Sequence, residues 1–139
     1  MPKSAIIDLF QQSHLRLSEQ RLLIYNYLLE HRTHPAAESI YHALVPDHPT
    51  LSLTTVYNTL KVLAEHRIII PVMIEDGEVR YDADTAFHGH FKCRCCGEIY
   101  DIPVKYPKDY ELPPESGFKT EDMRLDYYGV CPRCTAGNG

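Results

Sequence analysis

Apolar residues recur every three or four positions up to about Glu65 and every two thereafter. A helical first half and a β-rich second half follow. Ser4 to Ser13 reads as a helix with Ile6, Ile7, Leu9 and Phe10 apolar. Ser18 caps a second helix whose buried face is Leu22, Leu23, Tyr25, Leu28 and Leu29. His34-Pro35 marks a third start, since a first-turn proline forfeits no hydrogen bond. Its inward stripe is Ile40, Tyr41 and Leu44, and Pro46 to Pro49 ends it. Ser52 caps a fourth helix with Leu53, Val56, Tyr57, Leu60, Leu63 and Ala64 at helical spacing. Then Ile68 to Ile74, the turn Asp76-Gly77 and Val79 to Asp82 predict a hairpin. Further strands are expected at His90 to Cys93, Glu98 to Ile102, Phe118 to Glu121 and Arg124 to Val130. Pro107, Pro113 and Pro114 oppose a full helix over Lys105 to Gly117, because an interior proline costs about 3 kcal/mol. They leave room for one turn between Pro107 and Leu112.

The fourth helix turns Thr54, Thr55, Asn58 and Lys61 away from its apolar stripe. That face is small, polar and free of acids. Alone it describes any amphipathic helix with a solvated side. Preceded by a short helix and followed by a hairpin, it describes a winged helix-turn-helix, a DNA-reading unit. The DNA contacts expected are Thr55, Tyr57, Asn58 and Lys61, with Arg16 and Arg21 near phosphates; Asn58 can pair bidentately with adenine. Tyr57 lies on the apolar stripe and competes for a place in the core.

Composition narrows the class. The 139 residues hold one domain or two small ones, and the formal charge is −5. Residues 1–72 are neutral and 73–139 carry the whole −5, so the acidity falls in the second half. No apolar run approaches the ~18–20 residues of a membrane helix. The N-terminal apolar stretch is too short for a signal peptide, and a cytoplasmic location is the default. Reduced thiols there favour metal over disulfides.

Cys93-x-x-Cys96 and Cys131-x-x-Cys134 are two knuckles that suit a closed tetrahedral zinc with no open position, hence a structural site. Cys95 is left over, as a partly exposed knuckle residue rather than a redox group. His88 and His90, two apart on a strand, present imidazoles to one side, with Asp82 and Asp101 on flanking segments. Such a set suits Fe(II), Mn(II) or Zn(II); the alternative is a surface histidine pair beside a knuckle. His34 is the natural candidate for a ligand from the first half, although its composition alone describes a loop histidine.

These motifs together resemble the Fur family of metalloregulators over nearly the whole chain. Leu15 to Arg21 resembles the family's LKxTPQR entry, His34 to Tyr41 its HPTADEIY, and Ser52 to Leu60 its SxATVYxxL. Arg80-Tyr81-Asp82, His88-Gly89-His90, Cys93-x-x-Cys96-Gly97 and Tyr128-Gly129-Val130-Cys131 complete the series. The resemblance implies an α+β fold. Residues 1–82 would form a winged-helix DNA-binding domain, and 83–139 a small α/β dimerisation domain with a structural zinc site of four cysteines. It implies a homodimer on a double-stranded, palindromic operator. It assigns the zinc to Cys93, Cys96, Cys131 and Cys134, and the regulatory metal to His34, Asp82, His88, His90 and Asp101. Asp82, Asp101 and Asn58 are similar to the peroxide-sensing PerR branch; iron-sensing members usually have Glu, Glu and Arg. Met123 stands where those have a further histidine, so their additional site is not expected. The family's helix would fall in the proline-rich Lys105 to Gly117, and Ser18-Glu19 replaces its Thr-Pro.

The function expected is a repressor in which Fe(II) or Mn(II) clamps the DNA-binding domains, and peroxide lifts repression by oxidising a ligand histidine, His34 or His88. Iron-uptake and zinc-uptake repressors of the same family are the alternatives. A small metal-dependent hydrolase using His88, His90 and an Asp is a remote rival, with Glu98 the only spare acid nearby. A zinc-ribbon interaction module without DNA binding is another.

Overall fold

A computed structural model describes residues 2–75 and 77–137. The chain forms two compact units, Met1–Thr85 and Ala86–Gly139.

In the first unit, helix α1 (Lys3–Gln12) buries Ile6 and Phe10, one turn apart. Helix α2 (Glu19–Glu30) starts where the Ser18 hydroxyl accepts the Arg21 N–H at 3.2 Å. Its buried residues are Ile24, Tyr25 and Leu28. The expected stripe omitted Ile24 and included Leu22, Leu23 and Leu29, which are only half-buried. The run Leu22 to Leu29 is apolar nearly all round, so spacing alone could not choose its face. Helix α3 (Ala37–Leu44) buries Ala37 and Ile40. Pro35 does not open it. Pro35 lies in extended chain, its carbonyl accepting the Tyr81 N–H at 3.1 Å, and Ala36 bridges Arg80. The neighbouring strand takes this backbone before the helix begins.

Helix α4 (Leu53–Glu65) is capped by the Ser52 hydroxyl, which accepts the Thr55 N–H at 3.0 Å. It buries Val56, Thr59, Leu60 and Leu63 against α2 and α3. Thr59 takes the interior place that the sequence pattern gave to Tyr57, which is 48% exposed. After α4, His66 Nδ1–H donates to the Ser13 carbonyl at 2.9 Å and ties the ends of α4 and α1 together. Strands β1 (Ile70–Glu75) and β2 (Glu78–Asp82) pair antiparallel, Val72 opposite Arg80 and Ile70 opposite Asp82. Of the expected Asp76-Gly77 turn, Asp76 lies outside the described residues; Gly77 has φ of 79°, where glycine alone is unstrained. The helices and the start of the hairpin share one core, from Ile6 to Ala83.

The second unit is a three-stranded sheet in the order β4-β3-β5. Strand β3 (Gly89–Cys93) pairs antiparallel with β4 (Ile99–Ile102) and parallel with β5 (Asp126–Gly129). The parallel partner must return by a long connection, which carries two single 3-10 turns, Pro107–Tyr110 and Pro114–Ser116. These stand where the family pattern has a helix. The strand expected at Phe118 to Glu121 does not form: all four residues are exposed, and a lone phenylalanine among polar neighbours offers no face to bury. A short helix, α5 (Pro132–Gly137), carries the last cysteine, where the sequence showed only a knuckle.

Two stability differences follow. Leu60→Ala, at 0% exposure, is expected to cost about 2–5 kcal/mol in urea unfolding, and Tyr57→Ala less than about 1 kcal/mol. His34 sits at φ of 56°, in the left-handed region. His34→Gly should therefore fold with nearly unchanged thermal stability, whereas β-branched His34→Val should lose about 1–2 kcal/mol.

Candidate metal centres and nucleic-acid face

Four cysteines converge in the second unit. Cys93, Cys96, Cys131 and Cys134 bring one sulfur each within 4.8 Å of the others. The sequence positions them simply. Cys93 ends β3, Cys131 follows β5, and the parallel pairing of Cys93 with Gly129 sets the two knuckles side by side. Gly97, with φ of 78°, closes the first knuckle by donating its N–H to the Cys93 carbonyl at 3.0 Å. Lys92 Nζ donates to the Gly97 carbonyl at 2.8 Å.

The sulfurs are held by backbone donors. The N–H groups of Cys96 and Cys131 lower the Cys93 thiol to about 5, the Cys131 N–H lying 3.3 Å from its sulfur. Cys131 is lowered too, chiefly by the Tyr100 hydroxyl at 3.3 Å. Cys134 is pushed up to about 12 by its hydrogen bond to Cys131 and by burial. Neighbouring sulfurs thus cannot all carry charge by themselves. A divalent cation resolves that conflict, and four sulfurs with no oxygen or water position suit zinc in a closed tetrahedron. Cys95 is exposed and outside the cluster.

Imidazole and carboxylate also meet within each unit. In the first, His34 Nε2 lies 3.4 Å from Asp82 Oδ2, and both side chains are buried. The Pro35–Tyr81 backbone bond holds the loop of His34 against β2, whose last residue is Asp82. The other oxygen, Asp82 Oδ1, accepts the Asp84 N–H at 2.9 Å.

In the second unit, His88 and His90 both face Asp101. Nε2 of His88 is 3.1 Å and Nε2 of His90 is 3.6 Å from Asp101 Oδ1. The register pairs His90 with Asp101 directly, while His88 precedes the strand. A carbonyl only accepts, so the 2.7 Å contact of His88 Nδ1 with the Ala86 carbonyl fixes the proton on Nδ1. Nε2 faces the Asp101 carboxylate. A nitrogen and a carboxylate oxygen so placed can share a bound cation, and a backbone bond on the far nitrogen is the usual support of a metal-binding histidine. The donor set is nitrogen and oxygen without sulfur, which suits Fe(II) or Mn(II) better than the thiol cluster does.

The third feature lies on the first unit. Arg16, Leu17, Ser18, Gln20, Arg21, Thr55, Asn58, Thr59 and Val62 line a hollow of about 390 Å³ between the start of α2 and α4. Four of the six expected DNA contacts line it; Tyr57 and Lys61 do not, though both are exposed. Arg21 Nη1 donates to the Arg16 carbonyl at 2.6 Å, so Arg21 braces the loop that carries Arg16. The Thr55 hydroxyl accepts from the Ser52 hydroxyl at 2.9 Å. Gln20 and Tyr100 were missed in the sequence. Gln20 sits in a helix start, and Tyr100 reads as an ordinary strand aromatic.

The comparisons agree with one another. A peroxide-responsive repressor PerR from Staphylococcus aureus is 36% identical over 128 residues, 89% of this chain and 85% of that protein. The structure of the ferric uptake regulator of Pseudomonas aeruginosa with manganese matches with a TM-score of 0.75 at 24% identity, over 95% of this chain and 99% of that one. The peroxide stress regulator of Campylobacter jejuni matches with a TM-score of 0.69 at 26% identity, over 96% and 100%. The model of the ferric uptake regulator family covers residues 12–128; the chain belongs to that family and is a metal-dependent transcriptional regulator, not an enzyme.

Proposed function

We propose that the chain is a homodimeric, cytoplasmic repressor that binds a palindromic DNA operator when a regulatory ion is bound, and releases it on exposure to peroxide. The observation that carries this is the pairing of imidazole with carboxylate in each unit, His34 with Asp82 and His88 and His90 with Asp101. One Fe(II) or Mn(II) shared by these five side chains would fix how the first unit is presented to DNA. Cys93, Cys96, Cys131 and Cys134 would hold a zinc that stays in place throughout, because thiolates at all four positions leave none for exchange.

The DNA side of the reading rests on the polar face of α4. Asn58 and Lys61 are exposed, the Thr55 hydroxyl accepts from Ser52, and Arg16 is braced by Arg21. Two such faces, about 34–36 Å apart in a dimer, match successive turns of the major groove. The required bias is finite. Moving the binding-competent fraction from 1:99 to 99:1 takes about 10⁴-fold preference of the ion for the competent pose, about 5.5 kcal/mol.

The peroxide step is supported by the 36% identical peroxide-responsive relative and by aspartate at both carboxylate positions. Fe(II) held by these residues would supply the electrons that reduce peroxide. His34 and His88 are the side chains that would be oxidised, and an added oxygen on either ring would weaken it as a ligand and loosen the clamp.

Two outcomes test this. His34→Ala should abolish Mn(II)-dependent operator binding in a gel shift while one zinc per chain remains; operator affinity equal to wild type across the same titration sinks the shared-ion reading. After peroxide treatment of the iron form, peptide mass spectrometry should find one added oxygen on His34 or His88. Unmodified ligand peptides alongside loss of operator binding would exclude oxidation as the trigger.

A further inference from the structure

Strand β4 serves two sites at once. Asp101 and Tyr100 are adjacent on it, so their side chains leave opposite faces of the sheet. Asp101 goes to the histidines and Tyr100 to the cysteines. The phenol is 3.3 Å from the Cys131 sulfur and 3.9 Å from the Cys96 sulfur, which are themselves 3.8 Å apart. The Cys134 N–H reaches the same Cys131 sulfur at 3.5 Å. A zinc held by four thiolates keeps a net charge of about −2, so its sulfurs stay electron-rich unless donors share that charge.

From this geometry we infer that Tyr100 is a positioning residue for the zinc site, its hydroxyl donating to the Cys131 thiolate and shielding that sulfur from the oxidant the protein senses. The inference rests on the zinc reading above. The reaction it slows is thiolate attack on peroxide: a sulfur electron pair forms an S–O bond, the O–O bond breaks, and hydroxide leaves. The same pair attacks iodoacetamide, forming S–C and expelling iodide. Drawing density off sulfur slows both. The consequence is a division of labour across one strand. Asp101 helps build the reactive centre, while its neighbour keeps the second centre inert, so that peroxide opens the regulatory site without dismantling the four-cysteine zinc site.

The test uses the full-length, zinc-containing chain loaded with Mn(II). Cys95→Ser is present throughout to remove the exposed thiol. Zinc content of this parent is measured first; a parent without zinc refutes the metal reading itself. Tyr100→Phe deletes only the hydroxyl. It should release zinc roughly tenfold faster under peroxide and under iodoacetamide, with Cys131 modified first by peptide mapping. In the cobalt-substituted protein, the sulfur-to-metal charge-transfer band should move to longer wavelength. Zinc present with unchanged release rates overturns the role of Tyr100, and so does faster release with an unmoved band, which would mean packing alone. Should the Phe variant fail to fold, 3,5-difluorotyrosine at position 100 strengthens the donor and should slow release; an unchanged rate there overturns the inference equally.

Discussion

The second unit depends on one contact, the meeting of Cys93 and Cys131 at the ends of two parallel strands. Its fully buried apolar residues, among those described, are Cys93, Ile99 and Cys131. A sheet of three short strands with so little apolar burial has little hydrophobic drive to fold. The parallel pairing adds an entropic cost, because β3 and β5 are joined by a long, mostly irregular connection. The cysteine cluster closes that connection at its far end and stands in for a core. The alignment of His90 with Asp101 belongs to the neighbouring β3–β4 pair, which the short turn from Cys93 to Gly97 closes locally.

The first unit is built the opposite way. Its core runs from α1 through α4 into the hairpin, and the buried stripe of α4 sets which side chains remain outside. His34 sits outside that core in a left-handed conformation that most residues avoid. The conformation is maintained by what flanks it, the Pro35 carbonyl bonded to Tyr81 and the bridge from Ala36 to Arg80. A hydrogen bond between two backbones thus positions a side chain whose own sequence context is only a loop.

Charge acquires a different meaning once the units are known. Divided at residue 72, the sequence put all the acidity in the second half. The hairpin belongs to the first unit, however, and residues 1–85 carry seven Lys/Arg against eleven Asp/Glu, a net −4. Five of those acids lie in residues 75–84. Net charge therefore gives this unit no attraction to DNA, and a hairpin so acidic is a poor partner for phosphates. In the proposed reading, electrostatic attraction would come from local cations such as Arg16, Arg21 and Lys61, with Arg21 also bracing Arg16.

Sequence alone determined helices α1 to α4, the caps at Ser18 and Ser52 and the hairpin, because each rests on local spacing, and residue chemistry named the cysteine and His/Asp candidates, with His34 added only by the family resemblance. It could not choose Ile24 over Leu22, since a helix apolar on every side has no intrinsic inward face. It could not place Tyr57 outside and Thr59 inside, a choice made by how α4 packs on α2 and α3. It gave Phe118 to Glu121 a strand that only a pairing partner would have sustained. Tertiary structure alone revealed Tyr100, because its neighbour in space is Cys131, 31 residues away in the chain. Local chemistry is written in the residues themselves; which face is buried and which distant groups meet is decided only when the elements pack.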